Sequence, residues 1–177
     1  MSDSLSPPSF DAEFAVTLWT MAGETESVWD YPRPPRLEHS EEHLVVSHGG
    51  QVIVDTRGAI RILETSHPPT YYLPFSDVDW TLLEPVEGTS FCEFKGTASY
   101  ADIVIGDERI RQAVWWYENP SAGFSELKDF LSLYPGRLES CTLDGEVVQA
   151  QEGDFYGGWI TSRIVGPFKG APGTLGW

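Results

Sequence analysis

Cations are scarce in this chain: 11 Lys plus Arg stand against 27 Asp plus Glu, a formal net charge of −16. Such a field repels a phosphate backbone at long range, and counterion release needs a cationic surface. Nucleic acid is therefore not an expected partner. Cysteine is also sparse. Cys92 and Cys141 are too few for a paired C-x-x-C zinc site, and although they could bond to each other, an intracellular chain keeps such thiols reduced. No apolar run approaches the ~20 residues that span a bilayer, and the polar start, with Pro7 and Pro8, lacks a basic region followed by an apolar stretch. No membrane, no secretion signal and a cytoplasmic location are the expectations. Signature loops are missing too: there is no G-x-x-x-x-G-K-[ST], G-x-G-x-x-G or G-x-S-x-G, so the common phosphate cradles and the serine-hydrolase elbow are not written here.

What is present suffices for a core. Of 177 residues, 41% are hydrophobic and 13% aromatic, at a length that suits one domain without disulfides. Residues 1–27 read as a partly ordered arm whose apolar stretch, Phe14 to Met21, can dock. A single mainly β domain is expected over 28–177, beginning near the proline-rich Tyr31 to Arg36. Short β-type runs follow, separated by turn dipeptides. Gly49-Gly50, Gly106-Asp107 and Asp144-Gly145 each sit between two such runs, a hairpin signal. Ile60 to Glu64, Thr70 to Leu73, Trp80 to Leu83 and Phe91 to Lys95 are further strand candidates. One segment, about 120–134, reads as a helix: Asn119-Pro120-Ser121 opens it, Phe124, Leu127, Leu131 and Tyr134 keep helical spacing, and Pro135-Gly136 stops it. Phe155 to Trp177 carries too many glycines and prolines for a helix and too many aromatics for a free tail, so it is expected to wrap the sheet.

Several motifs touch on chemistry. His39-Ser40-Glu41-Glu42-His43 matches the H-x-x-E-H of some zinc peptidases, but prolines before it and a β-run after it deny the helix that would align both imidazoles. A solvated turn is expected. Ser76-Asp77-Val78-Asp79 offers two carboxylates of the kind that hold Mg²⁺ in nucleotidyl transfer, without the Gly-Ser turn that grips a triphosphate. The spacing of Ser125 and Lys128 matches S-x-x-K with none of its companion motifs. No metal ligands and no cofactor are assigned.

The richest stretch is Phe91 to Tyr100, where Lys95 lies among apolar residues. An inward ammonium needs a partner, and Glu64 is the candidate. Tyr71, Tyr72, Trp115, Trp116 and Tyr117 add aromatics that can wall a ligand box or fill a core. On the run Arg109 to Tyr117, Ile110, Gln112, Val114 and Trp116 share one face; Arg109, Arg111, Ala113, Trp115 and Tyr117 share the other.

On these residues the chain resembles the bacterial domain-of-unknown-function family 427 over about Val28 to Trp177. The stretches that carry the resemblance are Gly49-Gly50 with Val54-Asp55, Leu63 through Tyr72, and Phe91 through Gly96. Ala98, Tyr100, Trp115, Tyr117 and Pro120 also fit, and the ending from Phe155 to Gly170 looks like the longer subtype. The resemblance implies an antiparallel two-sheet fold similar to the β-tent group, whose zinc cysteines this chain lacks. The family is sometimes labelled a nucleotidyltransferase domain.

The functional expectation is a small-molecule pocket between the sheets, with Glu64, Lys95 and Tyr100 as its catalytic candidates. Whether the site is catalytic is left open; if it is, Glu64 would serve as general base and Lys95 or Tyr100 as electrophilic partner. Tyr71, Trp115, Tyr117 and His67 form the ligand-binding set. The ligand's class is open, and the chain is a monomer or homodimer. One alternative is a non-catalytic interaction module using Trp159 or Trp177. The other is Mg²⁺-dependent nucleotidyl transfer through Asp77 and Asp79.

Overall fold

The computed structural model describes residues 24–177; the stretch Phe14 to Met21 and most of the expected arm lie outside them. Fifteen strands run through the described chain. They are β1 (Glu26–Ser27), β2 (Arg36–His39), β3 (Leu44–His48), β4 (Gln51–Thr56) and β5 (Ile60–Leu63), then β6 (Thr70–Pro74), β7 (Leu83–Cys92), β8 (Gly96–Ile105), β9 (Glu108–Trp116) and β10 (Phe130–Leu133). The last five are short: β11 (Ser140–Leu143), β12 (Glu146–Val147), β13 (Gln149–Ala150), β14 (Trp159–Ile160) and β15 (Ile164–Val165). Seven of the strands form an antiparallel sheet in the order β2-β5-β6-β10-β9-β8-β7, and four form a second sheet, β12-β11-β3-β4. The fold is mainly β, as the alternating runs and turn dipeptides require.

The three hairpin signals all close hairpins. Gly49 and Gly50 take φ of 55° and 74°, and Asp144 and Gly145 take 47° and 84°. Paired positive φ is what a two-residue turn needs to match the twist of its strands. β7, β8 and β9 run on as the longest meander.

The helix expected over 120–134 does not form. Residues Ala122–Leu127 make 3₁₀ turns broken by a non-helical Phe124, and Phe130–Leu133 is strand β10. Phe124 and Leu127 keep their helical spacing only long enough to be buried, while β10 inserts between β6 and β9. Sheet pairing on both sides outweighs the local periodicity. Two strand expectations also shift. Trp80–Leu82 is a 3₁₀ turn capped by the Asp79 side chain, which accepts from the Thr81 N–H. Glu93 to Lys95 forms the β7–β8 turn, not the end of a strand. β7 itself was hidden by Pro85 and Gly88, which an edge strand tolerates because one side has no ladder to break.

The seven-stranded sheet buries both of its faces. Tyr71, Leu73, Val114, Trp116, Leu131 and Leu133 point toward the four-stranded sheet and pack with Leu44, Val46 and Val54. Their chain neighbours Tyr72, Trp115 and Tyr117 point the other way, into a second cluster with Ile60, Ile62, Phe124 and Leu127. The period of two in side-chain direction produces this split. Ala113 departs from the expected alternation: it joins the first cluster, beside a register shift where Gln112 takes φ of 46°.

The C-terminal segment wraps the larger sheet, with Phe155, Tyr156 and Gly157 at its outer face and Trp159 reaching the first core cluster. β14 pairs with β13, β15 runs parallel to β1, and the Trp159 N–H donates to the Pro69 carbonyl at 2.8 Å. Arg61 on β5 ties Glu26 of β1 to Glu38 of β2, and Arg163, just before β15, ties Glu26 to Glu42 between β2 and β3.

Candidate functional site

A cavity of about 270 Å³ lies on the outer face of the seven-stranded sheet, roofed by the C-terminal segment. It is not between the two sheets, because that space is filled by the first core cluster. Its floor comes from Ile62, Thr70, Tyr72 and Trp115 on the central strands. One wall is the β7–β8 hairpin with Ser90, Cys92, Lys95 and Tyr100, and the roof is Phe155, Tyr156 and Gly157.

Six of the seven residues singled out by sequence line this cavity: Glu64, Lys95, Tyr100, Trp115, Tyr117 and His67. Tyr71 does not. Its ring lies in the core near Trp159, at 5.4 Å between centroids, and its hydroxyl donates to Glu42 Oε2 at 2.7 Å. Tyr72, one residue on and therefore on the opposite face, takes the place assigned to it. The expected Glu64–Lys95 pair is absent as well. Glu64 Oε1 sits 3.3 Å from Arg33 Nε. Lys95 has no ion-pair partner among the described residues, and its ammonium lies 5.9 Å from the centre of the Phe124 ring. The proline-rich entry segment supplies that arginine, a contact no local pattern announces.

His67 is held in one tautomer. Its Nδ1 lies 3.0 Å from the Thr65 carbonyl oxygen, which can only accept, so Nδ1 carries the proton and Nε2 keeps its lone pair. Burial lowers its pKa below the usual imidazole value, against the opposing pull of the Thr65 carbonyl and Glu64. The ring is neutral at pH 7 and is the cavity's natural proton acceptor. Glu64 is held by the Arg33 guanidinium.

Hydroxyls supply the donors. Ser90 Oγ and Tyr100 Oη are 2.6 Å apart, and Trp115 Nε1 donates to Tyr72 Oη at 3.2 Å. Burial, reinforced by the neighbouring Tyr100, pushes the Tyr134 phenol up to about 12. Burial likewise raises Tyr72 and Tyr117. All three remain protonated donors at neutral pH. The Tyr134 and Trp115 rings lie 4.5 Å apart and tilted at 44°, and Arg137 lies 4.2 Å from the Tyr134 ring centre. Arg137 also donates to the carbonyls of Arg111 and Gln112 at the β9 register shift.

The roof fits because it has no side chain where it meets the floor. A Cβ on Gly157 would lie 2.3 Å from the Trp115 ring, and one on Gly158 would lie 2.3 Å from Gln151 Oε1. Sequence reasoning missed Ser90, Tyr134 and Gln151, whose places depend on the meander and the wrap. Phe155 and Tyr156 were marked only as too apolar for a tail.

The remaining motifs resolve as structure. His39 Nε2 meets Glu126 and His43 Nε2 meets Asp55, each in a separate exposed pair. Asp77 accepts from Thr56 and Ser76, Asp79 caps its turn, and neither lines the cavity. Ser125 and Lys128 close one 3₁₀ turn on the surface. Cys92 and Cys141 are both free, one at the cavity and one in the inter-sheet core. No helix among the described residues is long and apolar enough to cross a membrane.

Fold and site together define a mainly β chain of antiparallel sheets with a roofed cavity on the outer face of the larger sheet. The family described as "Domain of unknown function (DUF427)" matches residues 36–144, more than half of the chain, and the chain belongs to it. The match takes in both sheets up to the β11–β12 turn and stops short of the roof. No curated protein matches the chain.

Proposed function

We propose that the chain is a cytoplasmic, small-molecule-binding domain whose ligand occupies the roofed cavity. The observation that carries this reading is the convergence there of Lys95, whose ammonium has no ion-pair partner among the described residues, a lone-pair nitrogen (His67) and protonated hydroxyls within aromatic walls. A mostly apolar hollow with a few convergent polar groups is the usual form of a ligand site. Two phenylalanines at the cavity, Phe91 and Phe155, are 77% and 74% exposed, apolar surface that a bound molecule would cover. If the site also performs chemistry, His67 Nε2 accepts the proton and Lys95 or Tyr100 steadies the developing negative charge.

The test is a thermal-shift screen of metabolites on the full chain. A ligand at 100 times its dissociation constant adds about 2.7 kcal/mol, which raises the midpoint by roughly 5–10 °C at this size. Gly157→Val should abolish that rise, because its side chain must displace the roof or the Trp115 ring. The variant itself should lose about 1–3 kcal/mol and stay folded by circular dichroism. A ligand response undiminished in Gly157→Val would place binding elsewhere.

A second reading, a protein-interaction module, draws on Trp29 and Trp177. Their half-exposed rings meet edge to face at 5.4 Å. Pull-down of a partner by wild type but not by Trp177→Ala, with cavity variants unaffected, would favour it.

A further inference from the structure

We propose that the cavity takes a small planar aromatic carboxylate, its anion on the Lys95 ammonium and its ring among Trp115, Tyr134 and Tyr156; this rests on the cavity being a ligand site.

Charge selects the anion. The described ionisable groups of opposite sign around the cavity are not matched to each other. Glu64 is already neutralised from outside by Arg33, His67 is neutral, and Lys95 has no carboxylate within ion-pair distance. The chain has only 11 cations and a net charge of −16. Arg33, Arg36, Arg61, Arg109 and Arg163 are each in ion pairs. An ammonium unmatched among the described residues, set in an aromatic hollow, repels a quaternary ammonium ligand and attracts a compact anion at close range, the more distant carboxylates of the chain being screened by salt. The Ser121 N–H fixes the backbone at Lys95 by donating to its carbonyl, and the ammonium lies 5.9 Å from the centre of the Phe124 ring.

Shape selects the ring. At about 270 Å³ the cavity falls near the lower end of the roughly 300–1,000 Å³ of ligand sites, too small for a dinucleotide. Trp115 and Tyr134 lie 4.5 Å apart as one aromatic corner, and Tyr156 closes the far side, edge to face with His67 at 5.1 Å. Aromatic rings in such corners favour a flat, polarisable partner over a puckered aliphatic one. Polar detail follows. The Ser90–Tyr100 pair shares one hydrogen bond and so leaves one O–H free to donate, and His67 Nε2 is ready to accept from a ring hydroxyl.

The experiment is calorimetric titration of the full chain with benzoate and 4-hydroxybenzoate. Benzamide (planar, neutral), cyclohexanecarboxylate (anionic, puckered) and choline (cationic) serve as comparisons. Both aromatic carboxylates should bind, with the three comparison compounds weaker by about tenfold or more, the equivalent of one good interaction. Lys95→Met should weaken benzoate by about tenfold or more, and Lys95→Arg should largely restore it. Lys95 sits in the half-buried β7–β8 turn, and an unchanged melting profile certifies each variant's fold. Benzamide or choline binding as well as benzoate, or Lys95→Met binding benzoate normally, overturns the aromatic carboxylate. If the carboxylates fail but another compound gives a thermal shift that Gly157→Val abolishes, the ligand class falls and the ligand site stands. If nothing binds at all, both fall.

Discussion

Trp159→Ala lowers the unfolding free energy by about 3–5 kcal/mol, the loss expected when a fully buried tryptophan leaves a hole. Trp159 is 0% exposed and packs among both sheets in the first core cluster, with Tyr71 against its ring. At this chain length the midpoint drops by roughly 6–20 °C. Trp159→Phe costs less, because it keeps most of the packing and removes an indole N–H that has no hydrogen-bond partner among the described residues. Trp177→Ala, at a 38% exposed ring, changes stability far less. Denaturant titration of the three variants checks this. The outcome bears on function: Trp159 was a candidate for an exposed interaction face, and a core role removes it from that face. A Trp159→Ala variant as stable as wild type would contradict the packing described above.

Asp102→Ala is expected to cost about 2–3 kcal/mol, the range for hydrogen bonds to a charged group that leave a donor stranded. Asp102 is buried, at 5% exposure. It accepts the Gln112 N–H at 2.7 Å and Arg109 Nη1 at 2.8 Å, spanning the point where the register of β8 on β9 shifts. Burial opposes ionisation, yet the Gln112 N–H and the Arg109 guanidinium hold this carboxyl below its ordinary value of 3.8. A lowered carboxyl pKa gives stability that is fully present above the ordinary value and lost as pH falls through the folded one. Asp102→Asn keeps an acceptor for Gln112 and should cost less than alanine at pH 7. Its deficit relative to wild type should shrink below about pH 4. Urea titrations at pH 7 and pH 3 measure both. A deficit that grew on acidification would reverse the sign and sink the assignment. Because Arg137 joins this same bend to the Tyr134 ring, Asp102→Ala should also loosen the cavity wall and weaken whatever ligand is found.

Much of the fold was legible because β-structure writes itself at short range. Alternation and the dipeptides Gly49-Gly50, Gly106-Asp107 and Asp144-Gly145 need only neighbours in the chain to specify a hairpin. The errors arose where distant pairing decides. Phe124, Leu127 and Leu131 satisfy a helical period, but Leu131 and Leu133 are claimed by a slot between β6 and β9. β7 carries two strand breakers and survives because it lies on an edge. The same contrast runs through the site. Glu64, His67, Lys95, Tyr100, Trp115 and Tyr117 stand out in the sequence by their chemistry and converge on one cavity. Tyr71 was not distinguishable from Tyr72, since one residue of strand register sends a side chain to the opposite face.

By itself the sequence determined an acidic, mainly β chain, the hairpins, the family and most of the chemically able side chains, because composition and local periodicity act without reference to distant partners. The tertiary structure alone decided that the cavity lies outside the two-sheet core, that Glu64 belongs to Arg33 so that Lys95 stands unmatched, and that glycine at 157 lets the roof seat on Trp115. Each of these depends on which face a strand turns inward and on contacts between segments far apart in the chain, and no local pattern encodes such contacts.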